Sequence, residues 1–278
     1  MTAAPIRLNT FDVGRVVGAS LGVIRRRWLP IAVIILLRWA LGVTYSFQNL
    51  PSYKRGSHDP GAFAIYCAVS AAFMFVAWLK SAAITSVALE QAVDRSPLIE
   101  AVGDALRSFP TLLPFRLVDE LSTGVDLWLL WAATDSAFHF GLDYWLRELA
   151  YWVFGLTVTA FWGLTVPIVL AERQGILSSL RRSAALLSLA RWRFLAMLLL
   201  ITVVAVLADF AHSALTFFII RNLPETSWSV FSRYDHLAGD LLSSILDAIW
   251  FVIVAMSYRE FCRLHDGAEH DQIGRVFT

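Results

Sequence analysis

The chain has 278 residues, of which 58% are hydrophobic and 16% are charged, and its mean hydropathy is +0.62. Soluble domains are about 45–50% apolar and about 25% charged, so the composition argues against a soluble enzyme, and also against a disordered chain, which needs low hydrophobicity and high net charge. A formal net charge of +1 gives no basic surface for nucleic acid, and 2 cysteines do not make a disulfide framework. The class of protein that this composition favours is a polytopic membrane protein.

A spanning helix needs about 20 mainly apolar residues, and several stretches of the chain meet this requirement. In chain order the predicted spans are residues 28–47, 62–80, 111–134, 149–171, 194–220 and 241–258. The third carries Arg116, Asp119, Glu120 and Asp126 and is the most polar of them. No cleavable signal peptide is expected, because the first apolar run starts near Trp28 and has the length of a span. The whole chain, residues 1–278, is therefore predicted to be one membrane domain.

The basic residues predict which side of the membrane each connection faces. They are concentrated in residues 1–27, in the connection from Lys80 to Arg116, in the connection from Arg173 to Arg193, and in the C-terminal tail. The other connections carry only Lys54, Arg55, Arg147, Arg221 and Arg233. Because cytoplasmic loops carry the excess of Lys and Arg, both termini are predicted to be cytoplasmic.

Each pair of predicted spans follows an amphipathic helix, expected over residues 10–27, 96–108 and 177–191. Their apolar residues recur at helical spacing, as Val13, Val17, Leu21 and Ile24, as Ile99, Val102, Leu106 and Phe109, and as Leu177, Leu180, Ala184 and Leu187. Such helices lie in the membrane interface, or pack on the bundle as joints, or do both. The predicted fold is all-α, an integral membrane six-helix bundle built as three helical hairpins, each preceded by a cytoplasmic interfacial amphipathic helix.

One part of the sequence resembles a known family of membrane proteins. The matching features lie in residues 166–195 and at both ends of the chain: Pro167, Glu172, Gly175, Leu180, Arg181, Arg182, Ser183, Leu187, Trp192-Arg193, residues 11–30, Tyr258-Arg259-Glu260 and Arg263. This pattern resembles bacterial six-helix proteins related to the glycerophosphoryl diester phosphodiesterase membrane domain. The resemblance implies a multi-pass module of the bacterial inner membrane. It does not imply hydrolase activity, because the loops and the tail are too short for the catalytic domain of other members.

Charged groups at membrane depth are costly, which makes them candidate functional residues. Arg38, Asp126, Asp209 and Asp247 lie on four predicted spans, roughly 9–16 Å below the outer ends at about 1.5 Å per residue. One interpretation is a polar joint in which Arg38 pairs with one or two of the aspartates. The other is a hydrated site for a proton, a cation or a lipid headgroup, because three carboxylates face one arginine.

Histidines suggest a metal site or a proton relay. Asp209 and His212 are three residues apart and share a side of one helix, but zinc needs three or four protein ligands, which favours a hydrogen bond inside the bundle. The outer loops also combine histidine with aspartate, as His58-Asp59, His139 with Asp135 and Asp143, and Asp235-His236. Because the sequence has no catalytic triad order, nucleotide loop, HExxH or paired CxxC motif, neither a metal nor a cofactor is predicted.

Two arginine clusters lie directly beside predicted spans, Arg25–Arg27 and the group Arg181, Arg182, Arg191 and Arg193. They determine topology, bind anionic lipid headgroups at about 1 kcal/mol per basic residue, or do both. The sequence thus favours a non-enzymatic protein that binds membrane phospholipid or organises the membrane, with protein partners and oligomeric state left open. The alternatives are a small transporter or channel that uses the charged layer, and an intramembrane lipid-modifying enzyme that uses Asp209 and His212.

Overall fold

The computed structural model describes residues 11–47, 60–90, 98–114, 157–224 and 228–276. All regular elements in these ranges are helices, so the all-α class is confirmed for this part of the chain. The helices are α1 (Val13–Phe47), α2 (Pro60–Leu89), α3 (98–114), α4 (157–162), α5 (Thr165–Glu172), α6 (Ile176–Ser188), α7 (Arg191–Asn222) and α8 (Trp228–Val276).

Several predictions concern residues outside these ranges. Most of the third predicted span and the beginning of the fourth lie there, together with the first two outer loops: residues 115–134, residues 149–156, Asp126, His58-Asp59, Asp135, His139 and Asp143. The charged layer can therefore be compared with the structure only at Arg38, Asp209, His212 and Asp247.

α1 joins the first amphipathic segment directly to the first predicted span. The helix begins after Asp12, whose carboxylate accepts the backbone N–H of Arg15 at 3.1 Å and so satisfies one free donor of the first turn. The backbone leaves helical geometry at Arg27 (φ −115°, ψ 22°), just before Pro30. Proline clashes with the carbonyl four residues earlier, so the break falls in the turn where a proline kink is expected.

α7 and α8 provide the long apolar helices of the described part. By length and composition, Arg191–Asn222 and Tyr234–His265 are the two described stretches that meet the requirements of a membrane span. Phe75–Leu89 and Thr157–Glu172 are apolar but shorter among the described residues. α2 also continues to Leu89, nine residues past the predicted end at Lys80, because a second apolar run follows the lysine. Lys80 thus lies inside a helix and not in the connection to which the sequence assigned it.

The contacts divide the chain into two compact units. The first unit comprises residues 1–17, 107–197 and 254–278, and the second comprises residues 18–106 and 198–253. Large side chains that are almost fully buried in the first unit include Phe11, Leu164, Ile168, Leu186, Leu187, Phe194 and Phe261. In the second unit the buried side chains are smaller on average, and include Ile31, Trp78, Ala82, Ala83, Ile84, Val87, Ala248 and Val252.

The amphipathic segments bury small polar residues and expose large apolar ones. On α6, Ser179 and Ser183 are fully buried, while Leu177 is 69% exposed. On α1, Ser20 is 2% exposed and its neighbour Leu21 is 62% exposed. The predicted apolar stripes are therefore divided, because Leu187 packs inward while Leu177 and Leu21 point outward. Small residues of this kind are enriched where helices pack within membranes, because they allow the backbones to approach closely.

Gly163 lies in a tight turn between α4 and α5. Its replacement by alanine tests how closely the atoms around this turn pack. A Cβ atom here would lie 2.7 Å from the Thr159 carbonyl oxygen and 3.2 Å from the Phe194 ring. We expect Gly163→Ala to lower the free energy of unfolding by about 1–3 kcal/mol, the usual cost of overpacking. Thermal unfolding in detergent, followed by tryptophan fluorescence, would measure it. The control is Gly18→Ala, where the added Cβ meets open space; an equal loss in both variants would contradict the packing argument.

Candidate functional site

The Glu172 carboxylate, at the end of α5, is the centre of a polar network in the first unit. The Tyr258 hydroxyl donates to its Oε1 at 2.9 Å, and the Gln174 amide donates to its Oε2 at 2.8 Å. The Arg182 Nε lies 3.5 Å from Oε1. Arg173 makes this arrangement possible, because its left-handed backbone (φ 51°) ends α5 and reverses the chain into α6. The network therefore ties α5, α6 and α8 together.

Two other arginines of the second cluster also have partners inside the first unit. The Arg191 guanidinium lies over the Phe161 ring, 4.2 Å from its centroid, which is within the range of a cation–π contact. Arg193 Nη1 donates to the backbone carbonyl of Phe11 at 3.3 Å. Arg181 and Arg193 are both exposed, and because Arg182, Arg191 and Arg193 all make internal contacts, Arg181 is the member of this cluster that suits an external ligand.

Two surface patches combine exposed apolar side chains with exposed arginines. The first, here called the N-terminal patch, lies on α1 and consists of Leu21, Arg25, Arg26, Trp28 and Leu29. The second, the α6 patch, consists of Leu177, Arg181, Leu189 and Trp192, of which Trp192 is 81% exposed. Leu177 and Arg181 are four residues apart, as are Leu21 and Arg25, so each pair shares one side of its helix. Arg27, at the kink of α1, is less exposed than its two neighbours.

The predicted charged layer is not a single cluster among the described residues. Asp247 on α8 pairs with Lys80 on α2, with 2.8 Å between Lys80 Nζ and Oδ2. The lysine side chain is 6% exposed and that of the aspartate is 51% exposed. Asp247 thus has a different partner from the Arg38 that the sequence suggested. Arg38 is half-buried on α1 and makes its own contacts within the chain.

His212 on α7 belongs to a second polar contact, which joins α7 to α8. Its Nε2 lies 3.4 Å from Asp235 Oδ1, and the Thr216 hydroxyl donates to the same carboxylate oxygen. Gly239 provides the space, because a Cβ atom there would lie 3.3 Å from the His212 Nε2. Asp209, expected beside His212, instead has an exposed side chain. Asp235 and His236 were assigned to an outer loop, but both lie within α8, which begins at Trp228.

Lys80 and Asp235 are the polar residues whose roles the sequence did not reveal. Both were placed in connections, because the ends of apolar stretches were taken as the ends of helices. Each side chain is matched to a group more than fifteen residues away, and no local pattern indicates that pairing.

The metal site suggested by the histidines can be compared with the structure only in part. No group of three His, Cys, Asp or Glu side chains with suitable geometry occurs in the part of the chain that the structure describes.

Comparison with protein-family models, with curated proteins and with solved structures gives no match to this chain. The resemblance to the phosphodiesterase-associated membrane domain therefore stays a prediction, and function has to be argued from the contacts and surfaces described above.

Proposed function

We propose that this protein is a non-enzymatic, multi-pass protein of the bacterial inner membrane that binds anionic phospholipid through the N-terminal patch and the α6 patch. The observation that carries the proposal is the exposure of leucine, tryptophan and arginine side chains on helices whose packed sides carry serine. A soluble surface of this kind would leave large apolar groups in water at a cost. At a membrane interface the same groups are stabilised by acyl chains and headgroups.

The exposed surface of α7 supports a membrane location. Only 17% of the most apolar stretch of this helix is buried within the chain. Most of its exposed large side chains are apolar: Leu199, Leu200, Val203, Val204, Val206, Leu207, Phe210, Leu215, Phe217 and Phe218. Burial of one such side chain contributes about 1.5–3 kcal/mol, so hydrocarbon is the environment that these residues favour. We place this helix across the bilayer, within the six-span topology that the sequence predicts.

The arginines select the headgroup. In that topology both patches face the cytoplasm, where the leaflet is anionic and each nearby basic side chain contributes about 1 kcal/mol. Arg25, Arg26 and Arg181 are exposed, so their guanidinium groups reach phosphate oxygens without first breaking an internal ion pair. Arg182, Arg191 and Arg193 contribute indirectly, since their internal contacts hold the first unit together.

The test is a titration of the purified protein with phosphatidylglycerol, followed by native mass spectrometry. We expect wild type to retain phosphatidylglycerol in preference to phosphatidylcholine. Arg25→Gln/Arg26→Gln should weaken retention at the N-terminal patch by about 30-fold, and Arg181→Gln at the α6 patch by about fivefold, as about 1 kcal/mol per arginine implies.

Arg221→Gln is the matched control, since this arginine is exposed but lies at the opposite end of α7. Its retention of phosphatidylglycerol should equal that of wild type. A wild-type protein without preference for the anionic lipid, or equal losses in the control and the patch variants, would contradict the proposal.

A further inference from the structure

Arg173 has a backbone conformation that is unfavourable for a residue with a side chain. Its φ of 51° and ψ of 34° place it in the left-handed region, and among the described residues it is the one residue other than glycine with a positive φ. In this region the Cβ atom lies too close to the following carbonyl oxygen, so the usual residue at such a helix end is glycine. The turn from α5 to α6 therefore holds an arginine where glycine would be more stable.

Glycine does occur in this turn, but at a position that does not require it. Gly175 has φ −66° and ψ 160°, an extended conformation that other residues adopt readily. A Cβ atom at Gly175 would meet the Ser178 hydroxyl oxygen at 4.0 Å, which is an ordinary van der Waals contact. The backbone of the turn thus gives no reason for an arginine at position 173. Strained residues concentrate at binding sites, which directs attention to the arginine side chain.

Arg173 is exposed and lies close to the α6 patch. Leu177, the first residue of this patch, follows four positions later, so at most about 14 Å separates the two Cα atoms. Arg181 lies one helical turn beyond Leu177 and is exposed as well. Arg173 also makes a contact within the chain, and it stays exposed despite that contact. A basic side chain is therefore available at the end of the patch where α6 begins.

We propose that Arg173 is a further headgroup-binding residue of the α6 patch, and that its guanidinium group binds the phosphate of an anionic phospholipid together with Arg181. This inference rests on the function proposed above and adds a residue to the same site. A guanidinium group donates two parallel hydrogen bonds to phosphate oxygens, and this gain offsets the strain of the turn. Because Leu177 and Trp192 offer contacts for acyl chains, the phosphate is that of a lipid and not a free phosphate ester.

The experiment measures two properties of each variant, the retention of phosphatidylglycerol in native mass spectrometry and the midpoint of thermal unfolding in detergent. Asparagine tolerates the left-handed conformation and carries no charge. We therefore expect Arg173→Asn to weaken retention about fivefold, as one basic residue implies, without lowering the midpoint. Arg173→Gly should weaken retention equally and raise the midpoint by about 2–4 °C. Arg173→Lys, which keeps the charge, should retain most of the binding.

Arg221→Asn is the matched control, because this exposed arginine lies at the opposite end of α7 and its loss should leave retention unchanged. Soluble glycerol phosphate at the same concentration should not be retained by wild type, since it has no acyl chains. Retention of glycerol phosphate equal to that of the lipid would identify a free phosphate ester as the ligand and overturn the inference.

A lower midpoint in both Arg173→Asn and Arg173→Gly would also overturn it, because the arginine would then be required for its contact within the chain. The same conclusion would follow if wild type prefers phosphatidylglycerol and Arg173→Asn retains it equally well, or if Arg221→Asn loses as much. In those cases the lipid-binding function would stand without Arg173. A wild-type protein with no preference for phosphatidylglycerol would contradict the proposed function and this inference together.

Discussion

Asp247→Asn is expected to lower the free energy of unfolding by about 1–3 kcal/mol, the usual cost of leaving a buried donor without its partner. The reason is the burial of Lys80, the other member of the pair. Lys80 is almost fully buried, with 6% of its side chain exposed, and its ammonium group lies 2.8 Å from the carboxylate. Without Asp247, that charge stays in a poorly polar environment with no opposite charge to offset its lost hydration.

The measurement is the midpoint of unfolding in mixed micelles, followed by circular dichroism and tryptophan fluorescence. Asp240→Asn is the control, because this aspartate lies on the same helix, seven residues earlier, and is exposed. Its midpoint should equal that of wild type. The double variant Lys80→Met/Asp247→Leu should recover most of the lost stability, since replacing both members of a buried pair by apolar residues is often neutral. A double variant as unstable as Asp247→Asn would indicate that packing, and not the unpaired charge, causes the loss.

The Lys80–Asp247 pair also bears on the two interpretations of the charged layer that the sequence predicts. A layer with spare negative charge requires aspartates without cationic partners. Asp247 has such a partner, and Asp235 is matched to His212 and Thr216, so these two contacts act as joints that hold α2 and α7 to α8. Asp209, by contrast, has an exposed side chain on α7 and forms no such joint with the described residues.

The helices themselves could be predicted from the sequence, because local patterns determine them. Helical spacing of apolar residues indicates α6, which runs from Ile176 to Ser188 where the sequence suggested residues 177–191. Pro30, near the beginning of the first predicted span, indicates the interruption of α1 at Arg27. The end of α2 could not be placed in the same way, because the apolar run resumes after Lys80 and hydropathy alone does not show where a helix stops.

The partners of side chains could not be predicted, because they depend on how distant helices are aligned. Spacing along α7 put Asp209 and His212 on one side of the helix, but a separation of three residues corresponds to about 300° of rotation. The small angle that remains is enough to direct His212 toward α8 and leave Asp209 exposed. The same limitation applies to Ser179 and Ser183, which look like the polar side of an amphipathic helix and yet form its packed side.

Several of the residues that carry the family resemblance make hydrogen bonds or ion pairs within the first unit. Glu172 accepts hydrogen bonds from Tyr258 and Gln174 and lies beside Arg182, and the Ser183 hydroxyl accepts the backbone N–H of Leu164 at 3.2 Å. Glu260 and Arg263 form a two-bond pair one turn apart on α8. Most of these residues therefore stabilise the fold. The exposed Arg181 and Trp192 differ from them, and their exposure is what connects this pattern to the proposed lipid binding.

Phe261→Ala is expected to lower the free energy of unfolding by about 3–5 kcal/mol, as is usual when a buried phenylalanine is truncated. Phe261 is fully buried on α8. Its ring stacks on Phe11 with 4.6 Å between the centroids, and meets the edge of Phe194 at 5.8 Å. One side chain thus joins three segments that are far apart in the sequence: the segment before α1, the beginning of α7 and the later part of α8.

The Phe11 segment is held by this ring contact and by one hydrogen bond of its backbone. Residue 11 precedes the first turn of α1, and its backbone carbonyl is held by Arg193. We therefore expect Phe261→Ala to expose the N-terminal segment to protease as well as to lower the unfolding midpoint. Phe210→Ala is the control, because that ring is 71% exposed and its removal should change stability by no more than about 0.5 kcal/mol.

A double-mutant cycle with Phe11→Ala separates the stacking from the rest of the burial. If the two rings interact directly, the cycle should give a coupling of about 0.5–1.5 kcal/mol, the range for aromatic pairs. The larger part of the loss would then come from the cavity left beside Phe194. Additive single effects, with protease sensitivity unchanged in Phe261→Ala, would show that the N-terminal segment is held by other contacts, among which the Arg193 hydrogen bond would be the next to remove.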